Sequence, residues 1–151
     1  MPIALRPVRD DELPEWVQAS YRFYVTDLVA HAGMARADAE AKARADQADL
    51  LAGKKPGPEH HLYVVEEDGA VVGRLWFAER GEGFWLYQID IHEEQRGRGL
   101  GREAMQLFEA EARRLGATEV WLNVNGGNVV ARSLYRSLGW AEASVHMTKR
   151  L

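Results

Sequence analysis

Gln95-Arg96-Gly97-Arg98-Gly99-Leu100-Gly101 joins two stretches of different periodicity. Ahead of it, Phe84-Trp85-Leu86-Tyr87-Gln88-Ile89-Asp90-Ile91 is a run of aromatic and branched residues suited to a buried central strand. Behind it, Ala104, Leu107, Phe108, Ala112 and Leu115 fall on one face of a helix. The glycines let the backbone turn sharply and come close to a ligand, and the N–H groups that open a helix have no acceptor inside it. The spacing therefore predicts an anion cradle for phosphate, with Arg96, Arg98 and Arg102 adding positive charge to the same corner.

Two other kinds of glycine-rich turn compete with this reading. A dinucleotide-binding turn calls for an acidic residue near the end of the next strand, to hold a ribose hydroxyl. Here Glu119 precedes that strand, Val120-Trp121-Leu122-Asn123-Val124, and asparagines stand at its end. A P-loop calls for Lys-Ser or Lys-Thr after the last glycine, where this chain has Arg102-Glu103.

A second motif follows, Asn128-Val-Val-Ala131-Arg-Ser-Leu134-Tyr135-Arg-Ser-Leu138-Gly139-Trp140. Asparagine after Gly126-Gly127 is a good N-cap, and glycine at 139 sits where helices end, so the spacing predicts a short, well-bounded helix. Asn128, Ala131 and Tyr135 share one face, and Leu134 and Leu138 form the neighbouring apolar stripe. A small residue between two hydrogen-bonding ones leaves room for a ligand and points the Tyr135 hydroxyl at it.

Together the two motifs resemble the GNAT superfamily of N-acetyltransferases, which move an acetyl group from acetyl-coenzyme A to an amine. The family's phosphate-loop pattern (Arg or Gln, two residues, Gly, one residue, Gly or Ala) is met by Arg96, Gly99 and Gly101. Its second pattern is met by Asn128, Ala131, Tyr135, Gly139 and Trp140, and the likeness covers roughly residues 61–140. The fold it implies is an α/β one: a central mixed sheet with helices on both faces, in a single domain over residues 1–151.

The resemblance also implies that acetyl-CoA lies between two splayed parallel strands. Its pantetheine arm would bond the backbone at Ile89 and Ile91, and its pyrophosphate the loop of Arg96, Gly97, Arg98, Gly99, Gly101 and Arg102. Tyr135 is the expected proton donor to the leaving thiolate, and Asn128 is expected to position the cofactor or order water. Strict alternation puts Gln88 and Asp90 on one face of the central strand, which makes Asp90 the candidate base. In this family the first helices and nearby loops shape the acceptor site, which points to Tyr21, Tyr24 and the His60-His61 region. The acceptor is expected to be an amine on a small molecule or a peptide. A catalytically silent CoA-binding regulatory or interaction module is the alternative, and a fragment of a nucleotide-binding oxidoreductase is a third reading.

Composition agrees with one catalytic domain. The chain has 151 residues, 46% of them hydrophobic, enough for a proper core. It contains no cysteine, which excludes disulfides, cysteine nucleophiles and thiolate metal ligands, and no metal is expected. No signal peptide or membrane-length apolar run is evident, so a cytoplasmic location is expected, without a membrane partner. A net charge of −4 disfavours nucleic acid and mildly favours a cationic acceptor.

The remaining elements follow from local pattern. Residues 3–6 read as a strand, and Asp10 or Asp11 as the cap of a helix carrying Trp16, Val17, Tyr21, Tyr24 and Leu28. Residues 35–52 read as a second, largely exposed helix, and residues 53–58 as a loop. Residues 62–67 and 70–77 flank Asp68-Gly69, a hairpin turn. After the last helix only residues 141–151 remain, where many GNAT members finish with two long strands. One strand is thus missing or shortened, and the open sheet edge this leaves makes a homodimer an expected assembly.

Overall fold

The computed structural model describes residues 3–151. It contains one sheet of five strands in the order β1-β2-β3-β4-β5: β1 (Ile3–Pro7), β2 (His60–Glu67), β3 (Ala70–Arg80), β4 (Gly83–Ile91) and β5 (Glu119–Leu122). The first four pair antiparallel and β5 lies parallel to β4. Helices α1 (Leu13–His31), α2 (Arg36–Asp46) and α3 (Ala48–Leu51) cover one side, while α4 (Leu100–Arg114) and α5 (Val129–Ser137) belong to the other. This is the expected mixed sheet with helices on both faces.

Each layer follows from side-chain alternation. Tyr63, Val65, Leu75, Phe77, Phe84 and Leu86 pack on Ala104, Met105 and Phe108 of α4, and Phe77 and Phe108 meet edge-on at 5.1 Å. On the opposite face Leu62 and Val64 pack on Trp16 and Val17 of α1. The hairpin between β2 and β3 turns at Asp68 and Gly69, both at positive φ (52° and 82°), as an Asp-Gly turn of the hairpin type requires.

Three local expectations are corrected. Neither Asp10 nor Asp11 caps α1: the N-cap is Glu12, in helical backbone and without a side-chain capping bond. Its carboxylate instead accepts the Arg9 N–H at 3.0 Å and the Arg6 guanidinium at 2.8 and 2.9 Å. The helix expected over residues 35–52 is interrupted at Gln47, whose side chain turns inward and donates to the Ser20 hydroxyl at 3.3 Å. Finally, β5 is shorter than the strand expected over residues 120–124, because its pairing with β4 ends at Leu86 opposite Leu122.

That last difference has an identifiable origin in β4. Trp76 lies opposite Gln88 and Phe77 opposite Leu86, so Tyr87 has no partner and forms a β-bulge. The bulge bends β4 and reverses its faces. Phe84 and Leu86 point to α4 before it, Ile89 and Ile91 after it, and Gln88 and Asp90 turn toward α1. Beyond the bulge β4 continues to Ile91 while β5 has already stopped, and the two parallel strands part.

Candidate active site

The wedge between the parted strands is an open cleft of about 80 Å³. Its walls are residues 86–89 of β4 and residues 122–125 at and beyond the end of β5, closed by Asn128 and Tyr135 of the α5 segment and by Phe23 and Asp27 of α1. The backbone of β4 faces into it. His92 N–H donates to the Val72 carbonyl at 2.8 Å, so by alternation the polar groups of Gln88 and Asp90 also serve β3, and those of Ile89 and Ile91 point to the cleft side. Arg96 Nε donates to the Ile91 carbonyl from that side at 3.0 Å.

The glycine loop lies at the end of β4. Gly97 and Gly99 have φ of 81° and 78°, a left-handed conformation that side chains with a Cβ rarely adopt. A Cβ added at either would meet nothing within 4 Å, so backbone conformation rather than crowding calls for glycine there. Gly99 is the N-cap of α4 with no side-chain capping bond, and the helical ladder begins with Glu103 N–H donating to the Gly99 carbonyl at 3.2 Å. The amides between them are thus available to an anion at the positive end of the helix dipole.

The loop's arginine side chains are engaged elsewhere. Arg98 donates to Glu67 at 2.8 Å and to Gln95 at 2.7 Å, and Arg102 donates to Ser137 Oγ at 2.7 Å. Arg102 thereby ties the start of α4 to the end of α5. The backbone offers the donors at this corner, and the guanidinium groups hold its shape and add charge.

The second motif forms α5 with the expected cap, Asn128 Oδ1 accepting the Ala131 N–H at 3.2 Å. Asn128 also borders the cleft, so one side chain both starts the helix and meets the wedge. Tyr135 borders the cleft two turns further along the same face, with its ring 6.2 Å from that of Trp140. Burial, with a smaller contribution from the Asp27 carboxylate, pushes the Tyr135 phenol up to about 12.

Other sequence-derived candidates sit elsewhere. Asp90 is buried and ion-paired with Arg74, with only 3% of its side chain exposed, and it is not among the cleft-lining residues. Its carboxyl is raised, chiefly by burial and against the pull of Arg74, His92 and Arg96. Tyr21 and Tyr24 pack with Ala39 and Ala43 of α2, and the Tyr24 hydroxyl donates to Asp46 at 2.6 Å. His60 and His61 border a separate hollow of about 310 Å³ beside Pro7, Val8 and Lys55, which does not include Tyr135 or the glycine loop. Among the described residues, no group of three or more potential ligands could hold a metal ion. No helix among them is long and apolar enough to cross a membrane.

Three groups on the α1 side of the site were missed. Gln88 is buried with its amide fixed twice by Ser20: the Ser20 hydroxyl donates to Gln88 Oε1 at 2.5 Å, and Gln88 Nε2 donates to the Ser20 carbonyl at 3.2 Å. Phe23 and Asp27 follow Ser20 at helical spacing on the same stripe of α1. Asp27 accepts a hydrogen bond from Asn125 Nδ2 at 3.0 Å, and its carboxyl is raised, mainly by burial and against His31 and Asn125. Ser20, Phe23 and Asp27, each three or four residues from the next, were the available signal, since polar residues interrupt an otherwise apolar stripe.

The model of the acetyltransferase (GNAT) family matches residues 12–140, which contain every element lining the cleft. The chain belongs to the GNAT family. It is 28% identical over 156 residues to the uncharacterized N-acetyltransferase YycN of Bacillus subtilis, covering 100% of both chains. With YdgE of the same organism, also an uncharacterized N-acetyltransferase, it shares 31% identity over 120 residues, or 74% of this chain and 76% of the relative. The crystal structure of YycN superposes with a TM-score of 0.87 at 27% identity, covering 99% of this chain and 98% of that one. At 16% identity, the PaiA N-acetyltransferase of Thermoplasma acidophilum, solved with coenzyme A, shares the GNAT fold with a TM-score of 0.68 over 92% of this chain and 89% of its own.

Proposed function

We propose that the protein transfers the acetyl group of acetyl-CoA directly to a primary amine in a ternary complex. The observation that carries this reading is the junction of two features at one wedge: an uncapped helix start after left-handed glycines, and a partly buried tyrosine bordering the gap between parted parallel strands. Acetyl-CoA would supply an activated acetyl thioester. The amides of the loop at residues 97–102 hold its pyrophosphate, and the backbone of Ile89 and Ile91 holds the arm leading to the thioester. A backbone N–H of β4 polarises the thioester carbonyl as the amine attacks. The carbon–sulfur bond breaks as the amide bond forms, and Tyr135 gives its proton to the departing thiolate.

Asp27, on the opposite wall, receives the incoming amine. A lysine-like amine has a pKa of about 10.4 and arrives as an ammonium, so a carboxylate in the cleft can hold it and then accept its proton, directly or through water. Asp27 is the one carboxylate among the cleft-lining residues, and Phe23 beside it suits the amine's apolar stem. Because burial raises Asp27, the acid limb of kcat/KM should lie above the ordinary carboxylate value of about 3.9, with activity rising as pH climbs through it. Asp27→Asn is expected to lower kcat/KM by about 10²-fold and to remove that limb, measured by thiol release against pH. An unchanged profile would assign the limb to another group.

The reading as a whole is tested by a thiol-release screen of acetyl-CoA against an amine library. Release that depends on an added amine, with acetylated product by mass spectrometry, supports it. Tight acetyl-CoA binding without release for any amine would instead favour a silent CoA-binding module.

A further inference from the structure

The face of the sheet opposite α4 carries a floor of large aromatic side chains. Phe84 and Leu86 point to α4, so Trp85 between them points the other way, with Trp121 of β5 beside it and Arg80 of β3 opposite Gly83. Trp76, opposite Gln88, shares that face, and the ring of the bulged Tyr87 stands 5.2 Å from it. The rings of Trp85 and Trp121 are 5.9 Å apart. Glycine at 83 lets the Trp121 ring lie across the strand, for a Cβ there would come within 2.5 Å of it. α1 meets this floor at one end, where Trp16 touches Trp76 at 6.0 Å. Elsewhere it reaches solvent: Trp85 and Trp121 are half-buried, and Tyr87 is 45% exposed. Contiguous aromatic surface of this kind marks a place where something apolar binds.

Tyr87 also borders the cleft that contains Phe23 and Asp27, so the floor runs on from the point where the amine is received. Its polar atoms are engaged with one another. Arg80 Nη1 donates to the Tyr87 hydroxyl at 3.3 Å while its guanidinium lies 5.7 Å from the centre of the Trp85 ring, and Trp76 Nε1 donates to His60 Nδ1 at 3.1 Å. What remains is ring surface beside a fixed positive charge. That combination suits a flat apolar body and works against a second cation.

We propose that the acceptor is an arylalkylamine, with its ammonium at Asp27 and its aromatic ring on Tyr87 and the Trp85–Trp121 pair. The assignment rests on the acetyltransferase reading and adds the class of acceptor to it. An amino sugar would call for free hydrogen-bonding side chains around its hydroxyls, and those of the floor already have partners. A polyamine would bring its further ammonium groups toward Arg80.

Thiol release from acetyl-CoA with phenethylamine, propylamine, glucosamine and spermidine tests this. The kcat/KM for phenethylamine should exceed that for each of the others by about 10-fold or more. Tyr87→Leu, and separately Trp85→Leu, should narrow the phenethylamine-to-propylamine ratio several-fold through the KM of the amine, with the KM of acetyl-CoA unchanged. Tyr87→Phe keeps the ring and should retain the preference. Both side chains reach solvent, so the variants should fold, which circular dichroism checks. Phenethylamine should also change the tryptophan fluorescence of the protein saturated with coenzyme A, and Trp85→Leu should weaken that change. Thiol release with no preference for the ring, or a preference that survives both leucine variants, would overturn the inference and leave the acetyltransferase reading in place; a floor covered by a second copy of the chain would give that result. No release with any amine would overturn both.

Discussion

Tyr135→Phe lowers kcat by about 10²-fold or more, the usual contribution of a positioned proton donor, and leaves the acetyl-CoA dissociation constant nearly unchanged. The split follows from where the hydroxyl sits. The partly buried ring is held by its packing on the core and by Trp140, and phenylalanine keeps that packing, so the wedge and the loop retain their shape. What is lost is one proton at the wall facing the thioester. A leaving thiolate has a conjugate-acid pKa of about 8.5, well below that of a phenol pushed up to about 12, so Tyr135 keeps its proton until negative charge develops beside it. The sign of the shift gives a second result. Burial favours the neutral phenol, so wild-type kcat should show no fall attributable to Tyr135 near pH 10, the ordinary tyrosine value. Equal kcat for wild type and Tyr135→Phe, measured by thiol release at saturating substrates, would remove the residue from the chemistry.

Gly99→Val abolishes useful acetyl-CoA affinity, raising the dissociation constant by about 10²-fold, with the midpoint of thermal unfolding lowered only modestly. A branched side chain at φ of 78° costs at least ~1–2 kcal/mol if the backbone stays in place. The cheaper response is for the loop to leave the left-handed region, which re-aims the first amides of α4. Nothing surrounds a Cβ at this position, so the core is spared and the damage is confined to the cradle. Calorimetric titration against wild type separates the two effects, and retained affinity would show that the helix start is not the anion site.

The elements of this fold that depend on near neighbours were legible in the sequence, and those that depend on distant pairing were not. The glycine loop, the Asn128 cap and the Asp68-Gly69 hairpin turn each rest on backbone conformations that a few adjacent residues dictate. The cleft between β4 and β5 rests on the bulge at Tyr87, which exists only through the register with β3. Its residues look like any other part of an apolar strand. The faces of α1 failed for a related reason. That helix packs on the sheet with one stripe and on α2 with another, so aromatic residues at helical spacing do not say which stripe meets the ligand. Tyr21 and Tyr24 went to α2, and Phe23 and Asp27 to the cleft. Asp90 lay on the face that alternation required, but Arg74 on the neighbouring strand claims its carboxylate. The Gln47 break in the second helix was hidden because its cause, the buried Ser20, is distant in the chain.

The central claim is that the loop at residues 96–102 and the wedge behind it accept acetyl-CoA. Calorimetric titration of the purified protein with acetyl-CoA, with NAD and ATP as controls, tests it most directly. The account predicts saturable one-to-one binding of acetyl-CoA that is much tighter than either control; no binding of acetyl-CoA, or binding no better than NAD or ATP, would contradict it.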